Sequence, residues 1–301
     1  MIIVSVFDGL GNQMFHYAFY KALKVQKKDV KIDIISSWNK YKIDHNGYEL
    51  NNIFKLNVEF ATAKERDILL NRVGDCIGKT DIISKIKRKI LIKKSDWVKS
   101  VYFWKKPTEA ISFNKFYFDF NNVYMYAHYQ SEKYFKNIEK EIRQDFTFPD
   151  RLDEKNKILM EQIKNTNSVS VHVRRGDYIK NIGYGGICTL EYYNKALRFF
   201  ELNIDNPIFY IFSNDIKWCK DNLNLQNAIF VNNNIGKNSY KDMQLMSCCK
   251  HNIIANSTFS WWGAWLNNNK NKIVLAPNKW FNNIEGTYDI IPNNWYKINV
   301  L

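Results

Sequence analysis

The sequence is poor in cysteine and in acids and holds no long apolar run, and each shortage removes a class of protein. Five cysteines, Cys76, Cys188, Cys219, Cys248 and Cys249, stand among 301 residues. An odd, scattered set of this size builds no disulfide framework, and no CxxC or HxxxH spacing offers a zinc site. These cysteines are expected to be reduced core residues. No apolar run reaches the roughly 18 residues of a membrane-spanning helix. The opening MIIVSVFDGLGNQ lacks a basic flank and a small-residue cleavage site, so it is expected as a first strand in a cytoplasmic protein, soluble or peripheral, rather than as a signal peptide. Asp and Glu number 30 against 44 Lys and Arg, a net charge of +14. Such an excess favours a polyanion, an anionic membrane surface or a phosphorylated small molecule as partner.

What is present is ample core material, 46% apolar and 16% aromatic residues. From residue 168 to 276, runs of strand length alternate with segments of helical period. The strand candidates are SVSVHVR (168–174), PIFYIFS (207–213), AIFV (228–231), NIIA (252–255) and IVLA (273–276). Between them lie TLEYYNKALRFF, NDIKWCKDNL, SYKDMQLMSCCK and STFSWWGAWLN. This repeated βα alternation predicts a parallel sheet covered by helices, with ligands at the carboxyl ends of its strands. Ser239 with Asp242 suggests a capping box, and Asn256, Ser257 or Thr258 can cap the last helix.

The first half opens alike: strand IIVSVF, loop DGLGNQ, helix MFHYAFYKALKVQKK and strand VKIDII. Met14, Ala18, Ala22, Val25, Phe15, Phe19 and Leu23 share one helix face. Residues 40–120 show no regular pattern. Strand VYMYAHY and one helix, SEKYFKNIEKEIRQDF, then lead to the proline-containing, charged TFPDRLDEKN, which suits a linker. Domains are expected over 1–155 and 156–301. The segment IISKIKRKILIKK (82–94) reads as a basic amphipathic helix, either a solvated surface or a peripheral contact with anionic lipid.

Three constellations carry chemistry. In HVRRGDY, strand alternation puts His172 and Arg174 on one side, where a guanidinium can grip phosphate oxygens with paired bonds. The alternative is that Arg174 and Arg175 only pair with Asp177 or another acid. In DGLGNQ, glycines let backbone N–H groups of Gly11 and its neighbours approach a ligand at a helix N-terminus, although neither a GxGxxG nor a GK[ST] signature is completed. In NSTFSWWGAWL, Ser257, Thr258 and Ser260 open a helix whose Trp261, Trp262 and Trp265 are expected to fill the core. Asp215 and Asp242 are placed to accept bonds from a ribose or a guanine, or to cap their own helices. No DxD occurs. If a diphosphate leaves here without that two-carboxylate metal clamp, positive side chains and helix amides must stabilise it.

In these blocks the chain resembles the α1,2-fucosyltransferases of glycosyltransferase family 11: GLGNQMFHYA (9–18), HNGYEL (45–50), QSEKYF (130–135), HVRRGDY (172–178), FSND (212–215) and NSTFSWWGAWL (256–266). The resemblance implies an α/β fold of GT-B type, with two facing Rossmann-like domains. It also implies GDP-fucose as donor, inversion at the anomeric carbon, no metal, and a galactose-terminated oligosaccharide, free or lipid-linked, as acceptor. The second domain would hold GDP and the first the acceptor. By motif, Arg174 would hold the β-phosphate, His172 would lie beside the nucleotide, and Asn12 would reach the donor. Asp215 and Asp242 would meet ribose and guanine, while Ser257, Thr258 and Ser260 would meet the diphosphate. Two positions depart from the family: Asp8 stands where glycine is usual and His16 where glutamine is common. Arg175 is expected to brace the loop. Asp177 is expected to be either a counter-ion or the general base, with Asp8 and Glu49 as weaker candidates. A fucosyltransferase of another linkage or acceptor is the rival reading. A nucleic-acid binder is disfavoured because the aromatics fall at core-periodic positions.

Overall fold

The computed structural model describes residues 1–27, 29–34, 46–70, 82–83, 86, 101–103 and 107–300. Cys76 lies outside them, as does the basic segment 82–94 apart from Ile82, Ile83 and Ile86, which are exposed. The chain divides into two compact units, Met1–Thr147 and Phe148–Leu301. The expected boundary at 155/156 falls inside a helix of the second unit, Glu154–Asn165, because Asp153 caps that helix by accepting the Asn156 N–H at 3.1 Å.

In the first unit, strands β1 (Ile2–Ser5), β2 (Val30–Asp33), β3 (Val101–Phe103) and β4 (Val123–Tyr126) form a parallel sheet in the order β2-β1-β4-β3. Helix α1 (Leu10–Gln26) follows β1 and is buried on nearly every side, as its dense aromatics require. Val25 is 61% exposed, contrary to its expected core position, because the last turn of α1 emerges from the core. Short helices α2 (Leu50–Ile53), α3 (Ala63–Leu70) and α4 (Pro107–Ile111) come between α1 and β4 in sequence. The single helix expected over 131–146 is instead two 3₁₀ turns, Glu132–Tyr134 and Lys136–Ile138, followed by α5 (Glu139–Asp145). Phe135 breaks the run with φ −133° and ψ 13°. That break lets Tyr134 stack on Tyr117 while both Tyr134 and Phe135 are buried.

In the second unit, α6 (Glu154–Asn165) leads to β5 (Asn167–Val173), α7 (Leu190–Asn203), β6 (Pro207–Ser213), α8 (Ile216–Asn222), β7 (Ala228–Val231), α9 (Tyr240–Cys248), β8 (His251–Ile253), α10 (Thr258–Leu266), β9 (Val274–Pro277) and β10 (Tyr296–Ile298). The strands are parallel in the order β10-β9-β8-β5-β6-β7. All five expected strands of this half are present within a residue or two, and β10 was not foreseen. The chain builds outward from β5 through β6 to β7, then returns to β5's other side as β8. The switch point of the sheet therefore lies between β5 and β8, where open α/β sheets bind ligands.

The period of β5 divides its two faces as expected. Val169, Val171 and Val173 enter a core with Tyr192, Tyr193, Ala196, Leu197 and Phe200 of α7. On the other face, Ser170 Oγ accepts from Asn252 Nδ2 at 2.7 Å and Ser168 Oγ from the Lys250 N–H at 3.0 Å. Trp261, Trp262 and Trp265 are buried, with Trp261 and Trp265 stacked at 6.1 Å, so they fill the core as expected. Lys272 Nζ donates to the carbonyls of Ala264 at 2.7 Å and Asn267 at 2.8 Å, which satisfies the C-terminus of α10. Cys188, Cys219, Cys248 and Cys249 are free thiols, with Cys219 and Cys249 buried.

Candidate active site

In the second unit the carboxyl end of β5 presents a basic cluster. His172, next to last in the buried run, is 4% exposed, and burial first, then the neighbouring Arg174 charge, lowers its pKa to about 3. It is therefore a neutral imidazole, not a cation. Arg174 donates from Nη2 to Asp177 Oδ2 at 2.9 Å, and its Nε lies 2.9 Å from Asp177 Oδ1. The guanidinium also lies 5.5 Å over the Tyr178 ring. Asn214 joins the loops after β5 and β6: its Nδ2 donates to Asp177 Oδ1 at 3.3 Å and its Oδ1 accepts the Arg175 N–H at 3.0 Å.

Arg175 faces elsewhere, over Trp218 at 4.1 Å and with Nε donating to Asp215 Oδ2 at 3.3 Å. Asp215 Oδ1 accepts the Trp218 N–H at 3.1 Å, so this acid caps α8 and anchors Arg175 together. The counter-ions are thus assigned by the fold: Asp177 serves Arg174, and Asp215 serves Arg175.

The loop after β8 meets the loop after β5. Asn256 Nδ2 donates to the carbonyls of Tyr184 at 2.9 Å and Trp280 at 3.2 Å, and Tyr178 Oη donates to the Asn256 carbonyl at 3.3 Å. This brings the N-terminus of α10 to the Arg174 loop, at the switch point. Ser257 occupies the N-cap position without a side-chain capping bond. Its side chain lies beside Tyr178. Ser260 Oγ donates to the Ser257 carbonyl at 3.3 Å, and Thr258 is half-buried. Gly185 closes the loop so tightly that a Cβ there would fall on the Tyr178 carbonyl oxygen.

Asp242 stands in the first turn of α9 within an amide network. Asn234 Nδ2 donates to its Oδ1 at 2.7 Å, and Asn234 and Asn156 exchange amide bonds at 2.9 Å each way. Burial raises the Asp242 pKa to about 7, with Asn234 partly opposing the shift. The capping box expected from Ser239 and Asp242 is absent: Ser239 is helical and makes no capping bond, because the carboxylate is engaged by Asn234.

In the first unit, α1 begins at Leu10, so Gly11 and Asn12 lie in its first turn rather than in the expected loop. Gln13 pins the approach, donating from Nε2 to the carbonyls of Asp8 at 2.9 Å and Gly47 at 2.8 Å, and accepting the Glu49 N–H at 2.9 Å. Glu49 is 7% exposed, and burial raises its pKa against the bond from Asn46. Asp8 holds a left-handed backbone, φ 61°. Its Oδ2 lies 2.9 Å from His128 Nε2 and accepts from Asn12 Nδ2 at 3.2 Å, while Asn12 Oδ1 accepts from Gln130 Nε2 at 2.8 Å. His16, buried against Phe7 at 4.4 Å, is held neutral by burial, with a pKa of about 3. Neither His128 nor Gln130 was foreseen as a site residue. The available signal was their position just beyond a strand beside β1. Among the described residues, no three His, Cys, Asp or Glu side chains gather as a metal site, and no helix is long and apolar enough to cross a membrane.

Residues 1–299 match the family described as "Glycosyl transferase family 11". The "Alpha-1,2-colitosyltransferase" of Escherichia coli is 33% identical over 92% of this chain and 91% of its own. The "O-antigen biosynthesis glycosyltransferase WbnK" of Escherichia coli is 47% identical over 38% of this chain and 40% of its own. The "Galactoside alpha-(1,2)-fucosyltransferase 2" of Rattus norvegicus is 32% identical over 44% of this chain and 40% of its own. Among solved structures, the fucosyltransferase NodZ from Bradyrhizobium aligns with a TM-score of 0.54 at 12% identity, over 87% of this chain and 91% of NodZ. That likeness establishes a shared GT-B-type α/β fold.

Proposed function

The chain belongs to glycosyltransferase family 11, and from that membership we propose that it transfers L-fucose from GDP-fucose to the 2-hydroxyl of a terminal galactose, with inversion and without a metal. The observation that carries this reading is Arg174, held by Asp177 at the switch point and joined through Asn256 to the N-terminus of α10. As the acceptor oxygen bonds to the sugar's C1 and the bond to GDP breaks, charge grows on the β-phosphate. Arg174 and the amides of α10 are suited to that charge, so they bind the transition state more tightly than the ground state. On this reading Asp215 and Asp242 serve the nucleoside, and Ser257, Thr258 and Ser260 the diphosphate. The O-antigen relative supports an oligosaccharide as acceptor.

A second donor has its own support. The relative that matches along nearly its whole length is named for colitose, while the fucosyltransferases match over less than half of this chain. Colitose on the same nucleotide is therefore the alternative sugar. The deciding experiment incubates the protein with GDP-fucose or GDP-colitose and a panel of β-galactosides, with linkage analysis of the products. A 2-linked fucosyl galactoside is expected. Transfer of colitose alone would replace the donor, a 6-linked product would replace the linkage, and no transfer from either donor would overturn the reading.

A further inference from the structure

The polar cluster of the first unit has a geometry that the donor chemistry does not use. We propose that Asp8 selects the acceptor sugar: its carboxylate accepts a hydrogen bond from an acceptor hydroxyl other than the one that is glycosylated, and His128 and Asn12 hold it in position. The inference rests on the glycosyl-transfer reading above.

Asp8 follows β1 and His128 follows β4, strands that are neighbours in the parallel sheet. Both therefore lie at the carboxyl edge, where such sheets bind ligands. The backbone of Asp8 is left-handed, φ 61°, a conformation that Asp adopts more readily than most residues. The donors converge on one oxygen: His128 Nε2 at 2.9 Å and Asn12 Nδ2 at 3.2 Å on Oδ2, with Gln130 Nε2 orienting Asn12 at 2.8 Å. This chain of amide and imidazole fixes the carboxylate as an acceptor.

The side chain is 44% exposed while that of His128 is only 14%, so the supporting group is covered and the carboxylate is reachable. Beneath them His16 is neutral, so it brings no cation to the carboxylate. The following helix begins at Leu10, and its N-terminal dipole favours the negative charge. A reachable, oriented anion flanked by amides and imidazole suits a sugar hydroxyl. A metal ion would need further acidic ligands, and no such group stands there among the described residues.

The test compares wild type, Asp8→Asn and Asp8→Gly with the complete acceptor and with analogues lacking one hydroxyl at a time. Both substitutions suit φ 61°, and GDP titration confirms that each variant is folded. Asp8→Gly is expected to raise the acceptor KM by roughly 10- to 150-fold, the size of one charge-assisted hydrogen bond, with kcat and GDP affinity kept. Asp8→Asn, which retains one acceptor oxygen, is expected to lose less. For one deoxy analogue the wild type and both variants should become equal, because the bond is already gone.

An unchanged KM, an equal loss on every analogue, or a fall in kcat alone would each overturn the inference. A wild type that transfers to no hydroxyl acceptor overturns the glycosyl-transfer reading as well. Loss of GDP binding in both variants would overturn it too, because Asp8 would then serve the donor.

Discussion

Arg174 and Asp177 form an ion pair, with Nη2 donating to Oδ2 and Nε beside Oδ1, both at 2.9 Å. The pair is only three residues long in sequence, and it aims the guanidinium where β5 ends. Arg174→Ala is expected to lower transfer by about 100- to 1000-fold, the usual loss for a donor to developing oxyanion charge. Single-turnover rates at saturating GDP-fucose measure this, and a wild-type rate would remove Arg174 from the mechanism.

Asp177→Asn distinguishes counter-ion from base. The pair is partly exposed, at 28% and 46%, and such pairs contribute about 0–1 kcal/mol. As a counter-ion, Asp177 should change GDP affinity and transfer by about fivefold or less. A general base would instead cost about 100- to 10,000-fold in kcat with GDP affinity kept. Parallel GDP titration and kinetics separate the two outcomes.

Asp242 makes stability depend on pH. Its folded pKa of about 7 is raised above the ordinary 3.8 by burial. The stability associated with the neutral carboxyl is therefore full below about pH 4 and is lost as pH rises through 7. Asp242→Asn should melt higher than wild type at pH 8, with the difference vanishing near pH 4. A constant difference across that range would contradict the assignment. If guanine donates to this carboxylate, the same variant should also bind GDP more weakly at pH 8.

Gly185→Ala tests the loop that carries Asp177. An added Cβ would fall on the Tyr178 carbonyl oxygen and lie 2.5 Å from that of Asn181, both of them backbone atoms that cannot turn aside. The variant should lose transfer and melt lower, whereas Gly183→Ala, whose Cβ would meet only the Asn181 side chain at 3.3 Å, should be much milder. Comparable melting of the two would show that the loop yields.

Trp261 is buried with its Nε1 donating to the Ile290 carbonyl at 2.6 Å. Trp261→Phe keeps an aromatic ring but leaves that carbonyl without its donor, a loss of about 1–3 kcal/mol by denaturant unfolding. A neutral effect would mean that water replaces the indole.

Much of this protein was legible in its residues alone, because the signals were local. Alternation in SVSVHV sends three valines to the α7 core and two serines and His172 to the other face, as observed. Apolar runs of strand length separated by amphipathic segments determined the second unit's parallel α/β character, and the ordered motifs determined the family. The 131–146 segment shows where local reading ended: its helical period was real, but burying Tyr134 and Phe135 broke the helix into 3₁₀ turns.

Tertiary structure alone decided the partners. Asp8 meets His128 across 120 positions, Arg175 chooses Asp215 and Trp218 over the nearer Asp177, and Asn156 closes with Asn234 on Asp242. Side-chain period states which face a residue occupies, but not which distant loop arrives beside it. That depends on strand order, and in both sheets the decisive neighbours, β1 with β4 and β5 with β8, are not consecutive in the chain.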